Sequence, residues 1–142
     1  MNKKRGITLS TLVIYIALFS ILTVVVSSVS SNMNERLFNS RGEAINYTNL
    51  NKLQYNLENS AFESDTVSII DGYISFSNGD NYSYSEEDKV IYKNGGILCT
   101  NVDNIVVDIE SDYSGEKITL DITFNKYLNI LQRTIIVCVE VY

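Results

Sequence analysis

Four groups of residues in this 142-residue chain have types and spacings that bear on chemistry. Asp71, Asp80 and the run Glu86-Glu87-Asp88 offer hard oxygen ligands of the kind calcium takes, but their spacing is not that of an EF-hand loop. A solvated acidic turn is the expected reading. Cys99 and Cys138 could close a loop of about 40 residues, which in an exported domain would stabilise by ~3–4 kcal/mol on the chain-entropy model. Against that, Cys138 lies in an apolar run, and buried free cysteine is common. Ten tyrosines, Tyr82 and Tyr84 among them, suit either an adhesive surface or ordinary strands. Lys3, Lys4 and Arg5, followed by Gly6, place three positive charges directly before an apolar stretch.

What is missing narrows the chemistry further. The chain has no His, so Ser/His/Asp and Cys/His arrangements are ruled out. Two cysteines cannot build a Cys-only zinc site, and no glycine-rich phosphate loop is present. No cofactor is expected, and an enzyme reading would need a carboxylate pair in a cleft that nothing in the sequence marks. The formal charge is −6, unevenly placed: residues 61–142 hold fourteen acidic residues against five basic ones, a net of −9. Such a segment is a poor binder of nucleic-acid backbone, which needs Lys and Arg to displace counterions.

These groups must be positioned by two kinds of element. After Arg5 no charged residue occurs until Glu35, and residues 7–29 are long enough to cross ~30 Å of hydrocarbon as a helix. The core is too long for an ordinary secretory signal, although the Ser-rich SSVSS at 27–31 leaves room for cleavage. Basic residues before the span put the N-terminus in the cytoplasm. The helical pattern continues beyond the span: Met33, Leu37, Ala44, Tyr47, Leu50, Leu53 and Leu57 form one apolar stripe. Gly42 inside it is expected to weaken or bend the helix. A helix over 8–59 would be nearly 80 Å long at ~1.5 Å per residue.

After residue 59 the period changes from helical to alternating. Strands are expected at 66–70, 73–77, 81–85, 89–93, 97–99, 105–110, 117–125 and 133–142, with turns at Asp71-Gly72, Asn78-Gly79 and Asn94-Gly95-Gly96. In the seventh, Ile118, Leu120, Ile122 and Phe124 should face inward. Residues 127–132 read as a loop. The helix has a leucine stripe to cover and the sheet has one apolar face, so packing one on the other satisfies both. The fold class is therefore α+β: a long N-terminal helix on an antiparallel meander, divided as leader 1–6, span 7–30, amphipathic half 31–60 and β domain 61–142.

KKRG followed by ITLSTLVIYIALFSI resembles the class III signal of type IV prepilins and pseudopilins. In that family a prepilin peptidase cuts after the leader Gly and methylates the new N-terminus. The retained helix anchors the subunit in the membrane and then packs in a filament core. The resemblance implies that Gly6 ends the leader, that Ile7 begins the mature chain, and that the architecture is pilin-like. It also implies partners: the peptidase, other pilin or pseudopilin subunits, the cytoplasmic membrane and an assembly platform. Two positions depart from the family pattern. Ile7 stands where Phe is usual, and Thr11, the fifth mature residue, stands where most members carry Glu. That Glu is thought to pair with a neighbour's N-terminal amine, as a carboxylate in apolar surroundings must. Its loss suits a minor subunit, at a filament tip, of a pilus or of a secretion or competence pseudopilus. The competing expectation is an unprocessed, single-pass protein that tethers a binding domain at the cell surface.

Overall fold

A computed structural model of the chain describes residues 9–70, 72–112, 115–127 and 129–140. One helix, α1 (Leu9–Phe62), is followed by eight strands: β1 (Val67–Ile70), β2 (Tyr73–Phe76), β3 (Asn81–Ser85), β4 (Val90–Lys93), β5 (Gly96–Thr100), β6 (Val102–Asp112), β7 (Gly115–Lys126) and β8 (Asn129–Glu140). The chain divides into two units, one running through Phe38 and the other from Asn39 onward. The second half of α1 thus belongs with the strands.

Hydroxyls are accommodated in the apolar part of α1 by bonding to the preceding turn. Ser20 Oγ donates to the Ile16 carbonyl and Thr23 Oγ1 to the Phe19 carbonyl, each at 2.8 Å. With no proline anywhere, nothing in the sequence breaks the helix.

In the second unit the strands form two antiparallel meanders rather than one sheet: β1-β2-β3-β4-β5 and β6-β7-β8. The split occurs at Asn101, whose φ of 61° turns the chain between β5 and β6. Tight turns are supplied where expected; Asn94 (φ 51°) and Gly95 (φ 79°) both take the left-handed backbone that a two-residue hairpin turn requires. The sheets are tied to each other by the Val102 amide on the Lys89 carbonyl at 3.0 Å and by the Tyr84 hydroxyl, 3.1 and 3.0 Å from the Val102 and Asp103 carbonyls. The core combines Leu50, Leu53, Leu57 and Ala61 of α1 with Ile74, Phe76, Tyr82, Ile91 and Leu98 of one sheet. The other sheet adds Ile118, Leu120, Ile122, Phe124, Ile135 and Val139. The inward set expected on β7 is buried throughout.

Two expectations are corrected and one open alternative is decided. Residues 129–132 are strand, not loop: Lys126 pairs with Asn129 and β8 runs on from there, with Leu131 buried and Ile130 exposed. The Asn and Gln in that stretch conceal an alternation that continues to Val139. For Tyr82 and Tyr84 the strand reading holds over the adhesive one: Tyr82 is 2% exposed and Tyr84 is half-buried against the core. The helical stripe is the second correction. Leu50, Leu53 and Leu57 are buried, but Met33, Leu37, Ala44 and Tyr47 are exposed, and Gly42, Asn46 and Ser60 take the inward positions.

The reason lies in what α1 meets. Opposite Gly42 and Asn46 lie the end of β7 and the start of β8, whose Lys126 and Asn129 carbonyls approach the helix. A Cβ at Gly42 would lie 2.6 Å from the Lys126 carbonyl oxygen, and Asn46 Nδ2 donates to the Asn129 carbonyl at 2.8 Å. Close approach to a carbonyl needs the smallest residue, and the next turn needs a donor. Gly42 therefore does not break α1, which passes through it as regular helix.

Candidate functional site

The first candidate is the apolar segment of α1. From Leu9 to Asn34 there is no charged side chain, and this stretch of 26 residues is about 39 Å long, more than the ~30 Å a bilayer core demands. Its large side chains are open to the surroundings: Leu9, Phe19, Leu22, Val24 and Val29 are all more than half exposed. So continuous an apolar surface far exceeds the few hundred Å² that soluble monomers leave uncovered. The helix is long and apolar enough to cross a membrane. Thr11 sits near its start and is half-buried. Lys3, Lys4, Arg5, Gly6 and Ile7 lie outside the described residues, as does Asp71.

The second candidate is a polar cluster at the far end of α1. Leu57 is followed three residues on by Ser60, which lies on the same inward face and is fully buried. The turn between β2 and β3 brings Asp80, and β4 brings Lys93. Ser60 Oγ donates to Asp80 Oδ2 at 2.5 Å, and Lys93 Nζ pairs with the same oxygen at 2.9 Å. Asn94 Nδ2 donates to Asp80 Oδ1 at 2.8 Å. The Tyr82 hydroxyl is 2.6 Å from Ser60 Oγ and donates to the Asn56 carbonyl at 2.9 Å, while Lys93 Nζ lies 5.5 Å from the Tyr82 ring centre.

The electrostatics of the cluster follow from this geometry. Burial pushes the Asp80 carboxyl up, but hydrogen bonds from Ser60, Lys93 and Asn94 and the Lys93 charge outweigh it, lowering the pKa from 3.8 to about 2. Burial pushes Lys93 down, and Asp80 and Tyr82 more than reverse it, so its pKa is raised. A Ser beside a Lys invites a nucleophile–base reading. Here the lysine is held protonated by a carboxylate and the serine already gives its proton to that carboxylate. What the group accomplishes is mechanical: it joins the end of α1 to the five-stranded sheet. Asp80, weighed from sequence as a calcium ligand and expected instead to be part of a solvated acidic turn, has its oxygens taken by Lys93, Ser60 and Asn94. Among the described residues no three His, Cys, Asp or Glu side chains are grouped to hold a metal. Glu86, Glu87 and Asp88 are exposed on the β3–β4 turn.

Cys99 and Cys138 are free, not bridged. They lie in different sheets: Cys99, on β5, is buried with Sγ donating to the Asn49 carbonyl at 3.2 Å, whereas Cys138 is exposed on β8 opposite Lys117. It is Cys99, in the shorter strand, that is the core residue. Burial pushes its thiol up to about 11, with Lys52 opposing weakly.

Sequence reasoning missed Ser60, Asn56 and Lys93. The one available signal was a serine at the next inward position of a leucine row; the identity of its partners depended on strand register. Compared with protein-family models, with characterised proteins and with solved structures, the chain has no match.

Proposed function

We propose that the protein is a minor structural subunit of a type IV pilus or a related pseudopilus, inserted in the cytoplasmic membrane with its N-terminus inside and later assembled through its N-terminal helix. The observation that carries this is the division of labour along α1. One continuous helix has a charge-free segment with every large side chain uncovered, and a second segment whose inward face is committed to two antiparallel sheets. The first is suited to lipid and then to other apolar helices. The second makes the acidic β domain a fixed passenger, which would sit outside the cell or on the filament surface. The resemblance at KKRG–ITLSTLV supplies the processing step: cleavage after Gly6 removes Lys3, Lys4 and Arg5, lowering the cost of drawing the helix out of a membrane.

Intact mass of the chain after co-expression with a prepilin peptidase tests this. Loss of residues 1–6 with one added methyl on Ile7 is the expected result. A full-length, unmethylated chain would overturn it and leave the single-span tether.

A further inference from the structure

We propose that the outer face of the five-stranded sheet carries a groove for a neutral carbohydrate, walled by Tyr73 and Tyr92 and furnished with the hydroxyl of Ser83. The inference starts from register. Tyr73 is opposite Ser83, and Ser83 is opposite Tyr92, so the three residues form one row across β2, β3 and β4. Their neighbours Ile74, Tyr82 and Ile91 are buried, which turns this row outward. Tyr73 is 49% exposed.

Between the two tyrosines the surface is concave. The groove encloses about 410 Å³, within the range of small-molecule sites, and is lined by Gly72, Tyr73, Ser83, Tyr84, Ser85 and Tyr92. All six are Tyr, Ser or Gly, the mix that antibody loops use to combine flat amphipathic contact area with adaptable hydrogen bonds. Two strand spacings separate the walls by about 9.5 Å. A saturated ring needs about 3.5–4 Å to an aromatic carbon on each side. A pyranose therefore has room between the walls with a C–H face against a tyrosine ring, and its rim reaches the Ser83 hydroxyl, which can donate or accept.

The surroundings select for a sugar over other occupants. Among the described residues no lining side chain is charged, and Glu86, Glu87 and Asp88 stand beside the groove, where Asp88 Oδ2 accepts from Ser85 at 2.9 Å and Tyr92 at 3.3 Å. That rim repels anions. An extended peptide would seek an open strand edge, and β2, β3 and β4 are each paired on both sides. The groove belongs wholly to the second unit and does not depend on processing at Gly6.

The test titrates full-length protein in detergent with cellohexaose, maltohexaose and chitohexaose, read by saturation-transfer NMR. Hexagalacturonate and a neutral Gly-Ser dodecapeptide run alongside. At least one neutral hexasaccharide is expected to bind saturably. Tyr92→Ala should weaken it at least tenfold, whereas Tyr55→Ala, at an exposed tyrosine on α1, should leave it unchanged. Ser83→Leu, which fills the groove without removing a wall, should abolish it. Failure of all three neutral sugars to bind overturns the proposal. So does undiminished binding by Tyr92→Ala or Ser83→Leu, or equal binding of hexagalacturonate. Binding of the peptide instead reassigns the groove to a protein partner and likewise overturns it.

Discussion

Replacing Gly42 by alanine sets two physical effects against each other, and the structure predicts which one wins. In an isolated helix the change is favourable by about 1 kcal/mol, because glycine loses more backbone freedom than alanine on ordering. Here the new Cβ would lie 2.6 Å from the Lys126 carbonyl oxygen and 3.4 Å from Asn129 Cβ. A carbon rests about 3.3–3.6 Å from a carbonyl oxygen, so the β7–β8 connection and α1 must separate by most of an ångström. Overpacking of that kind costs about 1–3 kcal/mol. The separation also strains the Asn46–Asn129 hydrogen bond at 2.8 Å, one turn along, whose loss inside a buried site costs roughly another 1–3 kcal/mol. The net expectation is destabilisation by about 1–5 kcal/mol. For a unit of this size that lowers the melting temperature by roughly 5–25 °C. Thermal unfolding of full-length protein in detergent, followed by tyrosine near-ultraviolet circular dichroism, reads the second unit apart from the apolar helix. Ala44→Gly, at an exposed position of the same helix, calibrates propensity alone. If Gly42→Ala raises the melting temperature, helix propensity has won, and the close approach assigned to Gly42 is wrong.

Native protein should react with one equivalent of a maleimide at Cys138 and with a second, at Cys99, only after unfolding; two fast equivalents, or none, would contradict the assignment of one exposed and one buried free thiol. Because the Asp80 pKa falls from 3.8 to about 2 on folding, its contribution is complete above pH 4 and is lost as pH drops towards 2, on the order of 1–2 kcal/mol. Asp80→Asn should therefore flatten the acid limb of the stability curve, and an unchanged limb would remove Asp80 from the cluster's energetics. On the pilus-subunit reading proposed above, Thr11→Glu should add little to incorporation into filaments, measured as the chain's share of sheared filament protein; a large gain would exclude a position where no neighbour lies beyond it.

Much of the architecture is written in period and turn chemistry. Residues 9–34 can only be an apolar helix, since 26 residues without charge or proline leave the backbone no other way to satisfy itself in an apolar setting. The alternation of Ile118, Leu120, Ile122 and Phe124 and the Asn94-Gly95 turn are local statements, and the structure repeats them. The inward face of α1 was legible at Leu50, Leu53 and Leu57, where it meets side chains, and illegible at Gly42 and Asn46, where it meets backbone carbonyls. Hydrophobicity marks only the first kind of contact. The same limit hid the split into two sheets, because a left-handed Asn101 is one residue among many asparagines. It also hid the pairing of Lys93 with Asp80 and the row of Tyr73, Ser83 and Tyr92 on one outer face, since strand register brings these residues together from separate turns and strands. Sequence alone determined where the chain is long and apolar enough to cross a membrane and where it must alternate. Only the tertiary structure decided which polar groups meet, because their partners are set by register and close approach between segments far apart in the chain.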